Sequence, residues 1–289
     1  MPEGRLAVQK TYKLYIGGAF PRSESGRTYQ VENAAGRSIA NVALASKKDL
    51  RDAVVAARKA QPGWAAATPY LRGQVLYRVA EMLEGRRSQF VETLVDGEGL
   101  AAGAASAEVD RSIDRLVWYA GWADKLAQVA GSANPVAGPY FNFSIPEPTG
   151  VVGVLAPQSS SLLGLVSVVA PVITSGNTAV VIAGEAHPLA AVDLAEVMAT
   201  SDLPGGVVNI LTGRSAELAP VLAAHRDVDA LDLAGSSDPL DAQLEEAAAD
   251  NVKRVLRRRR PAPDWSTDPG PERMLFFVEI KTVWHPIGV

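Results

Sequence analysis

The sequence predicts an α/β fold, a parallel sheet flanked by helices with a small separate β unit, and three observations carry that prediction. Between Gly150 and Ala234, short runs of Val, Ile, Leu and Ala alternate with helix-length segments. That is the pattern of parallel strands joined by right-handed crossovers. The first half repeats apolar residues at helical spacing instead. Two β-rich stretches, Tyr140–Ile145 and Leu275–Trp284, stand apart from both regions.

Taken in order, Tyr15 to Gly36 alternates short strand-like pieces with turn residues. Ser46 with Asp49 three residues later is a capping-box start. Leu50, Val54 and Ala57 continue that helix toward Gly63. A second helix fits Tyr70 to Arg86, with Val75, Leu76, Val79, Met82 and Leu83 on one face, and a third covers Gln89 to Val95. Asp96 to Glu108 is rich in small residues, and a long helix follows from Glu108 to Leu126. Tyr140–Ile145 alternates as a strand and ends at Pro146. Gly150–Ala156, Ala179–Ala183, Val207–Leu211 and Val228–Ala234 read as buried strands, separated by helices at Leu162–Thr174, Leu189–Ala199 and Ala216–Ala224. A helix over Leu240–Leu256 leads into Arg257–Arg260 and a Pro-, Gly- and Asp-rich stretch of linker composition.

The 289 residues carry a net charge of -4 and include no cysteine. Disulfides, thiolate zinc sites and a cysteine nucleophile are therefore excluded. The three histidines, His187, His225 and His285, lack metal-ligand spacing, and no metal is expected. The longest apolar run, Leu162–Thr174, contains Pro171 and is short for a membrane span, so a buried helix and no membrane partner are expected. The opening stretch has no apolar run of the secretory-leader kind. With no disulfides, a cytoplasmic location is expected. Trp118, Tyr119 and Trp122 fall on one helix and are read as packing residues. Arg257–Arg260 could attract a polyanion. Asp264 and Asp268 dilute that charge and no aromatics interleave for base stacking, so a solvated helix end is preferred and nucleic acid is not expected.

A set of motifs then occurs in one order. They are "PGW" at Pro62, "YRVAEMLEGRR" from Tyr77, "YAGWADK" from Tyr119, "EPTGVVGVLAP" from Glu147, "SGNTAVV" from Ser175, "LPGGVVNILTG" from Leu203, "HRDVDALDLAGSS" from His225 and "KTVW" from Lys281. Together they resemble the aldehyde dehydrogenase superfamily from about Tyr12 to Lys253 and again at the C-terminal end. The resemblance implies a Rossmann-like cofactor domain with an N-terminal helical cluster over residues 1–137 and 148–256. It implies a β oligomerisation arm over 138–147 and 274–289. Residues 257–273 form a linker where the family carries its catalytic domain.

The family's chemistry needs a thiolate to capture the aldehyde, hydride transfer to a nicotinamide, and hydrolysis of the acyl-enzyme. No residue here supplies the thiolate, and no catalytic residue is expected. A serine would need a nearby base, and none of the histidines lies in a nucleophile elbow. The family's Pro-Trp-Asn-Phe-Pro motif falls on Pro157-Gln158-Ser159-Ser160-Ser161, so Ser159 replaces the amide that steadies the oxyanion and Gln158 replaces the Trp of the cofactor cleft. These serines are read as a loop, one of them an N-cap. Ala183 stands at the position of the ribose-holding Lys. Glu185 resembles a ribose-facing acid, and Gly235 and Ser236 match a phosphate-contacting Gly-Ser pair, with a capping role for Ser236 or Ser237 as the alternative. NAD(P) binding is expected to be weak or absent.

The function expected is that of a non-catalytic aldehyde dehydrogenase homologue, a structural or regulatory subunit. It would assemble with itself and with a full-length aldehyde dehydrogenase through Tyr140–Ile145 and Leu275–Trp284. Two alternatives stand beside it: a residual NAD(P)-binding oxidoreductase acting on aldehydes, and a polyanion-binding module built on Arg257–Arg260.

Overall fold

The computed structural model describes residues 9–288. Residues 1–8, part of the opening stretch without a leader-like run, and residue 289 of the arm segment lie outside the described residues. The chain opens with β1 (Thr11–Tyr12), β2 (Thr28–Glu32) and β3 (Ser38–Ala43), which pair in the order β1-β3-β2.

Five helices follow: α1 (Lys47–Ala66), α2 (Pro69–Glu84), α3 (Arg87–Glu98), α4 (Ala102–Trp122) and α5 (Leu126–Ala130). The capping box of α1 forms as its sequence requires, with Asp49 N donating to Ser46 Oγ at 3.3 Å and Ser46 N to Asp49 Oδ2 at 2.8 Å. That helix continues through Pro62 to Ala66 rather than stopping at Gly63. Its last turn is held by Trp64, whose indole N–H donates to the Ile173 carbonyl at 2.9 Å. The helix predicted from Glu108 to Leu126 starts earlier, at Ala102, and ends at Trp122, with Leu126 opening α5.

The strands β4 (Ser132–Asn134) and β5 (Tyr140–Pro148), in the stretch expected to form the arm, come next. Then β6 (Val151–Leu155), α6 (Leu163–Thr174), β7 (Thr178–Ile182), α7 (Leu189–Met198), β8 (Val208–Leu211), α8 (Ser215–Ala224) and β9 (Ala230–Asp232) build the central sheet. Its last pieces are α9 (Asp238–Ala249) and β10 (Arg254–Leu256). The strand order is β10-β9-β6-β7-β8, all parallel. Both faces are covered, which is why these strands lack polar alternation. Val152, Val154 and Val181 pack against α2–α4, α6 and α7, while Val151, Leu155 and Val180 pack against α1, α8 and α9.

Two predicted elements are corrected. The helix over Leu240–Leu256 ends at Ala249, and Arg254–Leu256 is a strand beside β9. Val255 and Leu256 keep helical spacing from Val252, but their burial on opposite faces of the sheet decides the outcome. The four arginines therefore follow a strand and do not end a helix. Arg257 pairs with Glu245 at 2.6 Å, Arg258 with Asp241 at 2.7 Å, and Arg260 with Asp238 at 2.8 Å, all on α9.

The β signal at Leu275–Trp284 is divided between a short helix, α10 (Glu272–Phe276), and a strand, β11 (Val278–Pro286). Burying Met274 and Phe277, both 0% exposed, requires the turn that a strand there would lack. β11 pairs antiparallel with β5 from Val278↔Pro148 to Pro286↔Tyr140, in the sheet order β11-β5-β4.

Candidate functional site

β6 is followed by β7 and β8 on one side and by β9 on the other. The order reverses between β6 and β9, and open α/β sheets bind ligands in the crevice beyond the strand ends at such a point. The residues there are Ala156–Gln158 after β6, Ala183–Glu185 after β7, and Leu233–Ser236 after β9.

Gly235 lies flush against β6. Its N–H donates to the Leu155 carbonyl at 2.8 Å, and a Cβ at this position would collide with the Ala156 carbonyl. Only glycine allows that approach. Ser236 sits beside it with its Oγ buried and unpartnered. Ser237 is the N-cap residue of α9 but makes no side-chain capping bond. The serines therefore do not cap α9 through their hydroxyls.

Glu185 is committed elsewhere. Its carboxylate accepts the Ser215 N–H at 2.6 Å and meets Arg214 at 3.4 Å, so it caps the start of α8. Gln158 spans the crevice: its Oε1 accepts from Glu185 N at 3.0 Å, and its Nε2 donates to the Ala156 carbonyl at 3.3 Å. Ala183 is fully buried and offers no polar atom. The structure thus brings Gly235 and Ser236 to the crevice and turns Glu185 toward α8. The side-chain donor left uncommitted is the Ser236 hydroxyl. This set does not fit a tightly held dinucleotide.

The serine-rich turn is corrected as well. Leu162 is the N-cap of α6 and no serine caps it. The cap comes from α4, where Glu108 Oε1 accepts from Leu162 N at 3.3 Å and Leu163 N at 3.1 Å. Ser160 donates to the same oxygen at 3.1 Å, and Ser161 donates to Glu98. Burial, ahead of repulsion from Glu108, pushes the Glu98 carboxyl above its ordinary pKa, and the Ser161 bond opposes it. Neither serine is hydrogen-bonded to a histidine, and His187 Nδ1 is buried without a partner. The arrangement locks a loop and does not activate a nucleophile. Glu98 and Glu108 escaped the sequence reading because their partners lie far along the chain.

A groove of about 670 Å³ lies elsewhere, between α2 and α4, lined by Tyr70, Leu71, Tyr77 and Val117 among others. Among the described residues no helix is long and apolar enough to cross a membrane, and no cluster of His, Cys, Asp and Glu could hold a metal.

The sequence profile of the aldehyde dehydrogenase family matches residues 20–257. Cytosolic aldehyde dehydrogenase 1 of Elephantulus edwardii is 34% identical over 260 residues, covering 88% of this chain and 51% of that protein. Retinal dehydrogenase 2 of Mus musculus is 34% identical over 263 residues, covering 88% of this chain and 49% of that protein. Among solved structures, the NAD+ complex of an aldehyde dehydrogenase from Bacillus cereus superposes with a TM-score of 0.81 at 26% identity, over 85% of this chain and 50% of that one. The chain spans about half the length of the relatives it matches.

Proposed function

Because the chain belongs to the aldehyde dehydrogenase family, we propose that it serves as a non-catalytic member, a structural or regulatory subunit that assembles with itself and with a full-length aldehyde dehydrogenase. The observation that carries this reading is the arm. β11 runs beside β5 for the whole stretch from Val278 to Pro286, although only residues 257–277 separate it from β10. No strand pairs with its outer edge among the described residues. Phe141 is 52% exposed, Ile280 54% and Trp284 58%. An open edge with apolar neighbours is a liability unless another chain covers it, and strand addition is a common way to do so. The absence of cysteine and the donor-poor crevice support a role without covalent chemistry. A cytoplasmic location belongs to the same proposal.

The test is co-expression with a full-length family member, followed by size-exclusion chromatography with mass analysis. A shared peak of summed mass is expected, and two separate peaks would defeat the heteromer. The second reading, a residual NAD(P)-dependent oxidoreductase, draws on Gly235 and the free Ser236 hydroxyl. Calorimetric titration with NAD is expected to give no saturable heat. The polyanion reading loses ground because Arg257, Arg258 and Arg260 already face carboxylates of α9.

A further inference from the structure

α2 is apolar on two sides. Val75, Leu76, Val79 and Leu83 point into the core, as a surface helix requires. The opposite side carries Tyr70, Leu71 and Tyr77, which stay 69%, 47% and 52% exposed. With Val117 of α4 they line the groove of about 670 Å³. Small residues leave that groove open. A Cβ on Gly73 would lie 2.8 Å from the Ala120 carbonyl oxygen, so α2 and α4 approach closely, and nothing stands within 4 Å of one on Gly121. Grouped exposed side chains of this kind mark a contact surface, and Tyr is enriched in such surfaces.

Tyr70, Leu71, Gln74, Tyr77 and Arg78 all line the groove, and their spacing puts them on one side of α2. Their order is symmetric about Gln74. Leu71 and Tyr77 stand three residues before and after it, and Tyr70 and Arg78 four. When two antiparallel helices meet across a two-fold axis, positions equally far before and after the axis face each other. Laid so, Tyr77 of each copy packs on Leu71 of the other, and the Arg78 guanidinium lies over the Tyr70 ring. The two Gln74 amides meet on the axis. A carboxamide holds both donor and acceptor and so pairs with its own copy, which a carboxylate or an ammonium does not.

The rim charges are matched within the chain, Arg78 with Glu81 at 3.1 Å and Lys125 with Asp124 at 2.8 Å. Asp202 adds a single negative charge. The face therefore shows no strong field of one sign to draw an acidic or a basic partner. The Glu81 bond uses Nη1 of Arg78 and leaves the plane of the guanidinium for stacking. We infer that this groove is a self-contact: two copies of the chain pack α2 against α2, antiparallel about Gln74, in an isologous interface. No residue of β5 or β11 lines it, so the contact is separate from the arm.

The full chain has no cysteine, so one introduced thiol reports on its own position alone. Gln74→Cys is expected to give a disulfide-linked dimer on mild oxidation, seen on a non-reducing gel. Tyr70→Cys, about 12 Å from its own copy along the axis, is expected to give none. Analytical ultracentrifugation is the second readout. Tyr77→Glu places a charge in the contact and is expected to weaken the dimer at least about thirtyfold. Its side chain is half exposed, so the thermal midpoint of the monomer is expected to stay at the wild-type value. Val283→Pro, in the arm, is expected to leave the Gln74→Cys cross-link in place, which separates this contact from assembly through the arm. Absence of the Gln74→Cys cross-link overturns the contact, as does equal cross-linking of Tyr70→Cys or a Tyr77→Glu mass distribution identical to wild type. A cross-link that Val283→Pro abolishes overturns the groove as a surface of its own.

Discussion

Glu108 shows how much one side chain does in this molecule. It receives two backbone N–H groups at the start of α6 and the Ser160 hydroxyl. Replacing an N-capping side chain by Ala costs about 0.5–2 kcal/mol. Glu108→Ala is expected to cost about 2 kcal/mol in urea unfolding; a change under about 0.5 kcal/mol would remove the capping assignment. Glu98 acts in the opposite sense. Its folded pKa is raised by burial, so its charged form disfavours the fold above that pKa, and the penalty fades as pH falls through that pKa and is gone below the unfolded value. Glu98→Gln should therefore raise stability at neutral pH and bring no gain in acid. A loss at neutral pH would show that the Ser161 bond outweighs desolvation. Neither glutamate was legible in the sequence. Ser160 lies 52 residues from Glu108 and Ser161 lies 63 from Glu98, and no local pattern encodes such a pairing.

At the scale of elements, legibility followed burial and local chemistry. The capping box of Ser46 and Asp49 is self-contained and formed as read. β6, β7 and β8 are short, buried and bounded by turn residues, and they fell where their apolar runs placed them. β10 was hidden because Val252, Val255 and Leu256 continue the helical spacing of α9, and only tertiary pairing with β9 reveals the strand. The junction itself is strained. Val252 has φ of 57° and is 90% exposed, so it occupies the left-handed region without burying its side chain. Val252→Gly is expected to stabilise the protein by about 1 kcal/mol, read as a higher midpoint in thermal unfolding; a lower midpoint would contradict the strain. In the arm, Val283→Pro removes one N–H from β11 and fixes its φ. It should dissociate any assembly made through that edge, as seen by analytical ultracentrifugation, while far-UV circular dichroism stays close to wild type.

For the whole molecule, the five-stranded parallel sheet and the three-stranded sheet of β11, β5 and β4 are joined through residues 257–277, which meet the helical cluster where Arg115 donates to the Thr267 carbonyl. Arg273 reaches Asp232 at the end of β9, and Arg254 grips Glu279 through two bonds of 2.6 Å, so the linker and the arm strand are tied to the central sheet. The sequence made the missing thiolate plain, since a residue type is either present or not. It left unseen the docking of the linker, because Pro, Gly and Asp describe a turn-rich segment equally well whether it floats or packs. The crevice between β6 and β9 holds Gly235 flush against β6, and Gln158 spans it.

The central proposal is that this chain carries no chemistry of its own toward aldehydes. Its most direct test is to incubate the purified chain, alone, with propanal and NAD and to follow the absorbance of reduced cofactor. A flat trace at every chain concentration is the expected result. Turnover that rises in proportion to chain concentration and survives further purification would contradict the account.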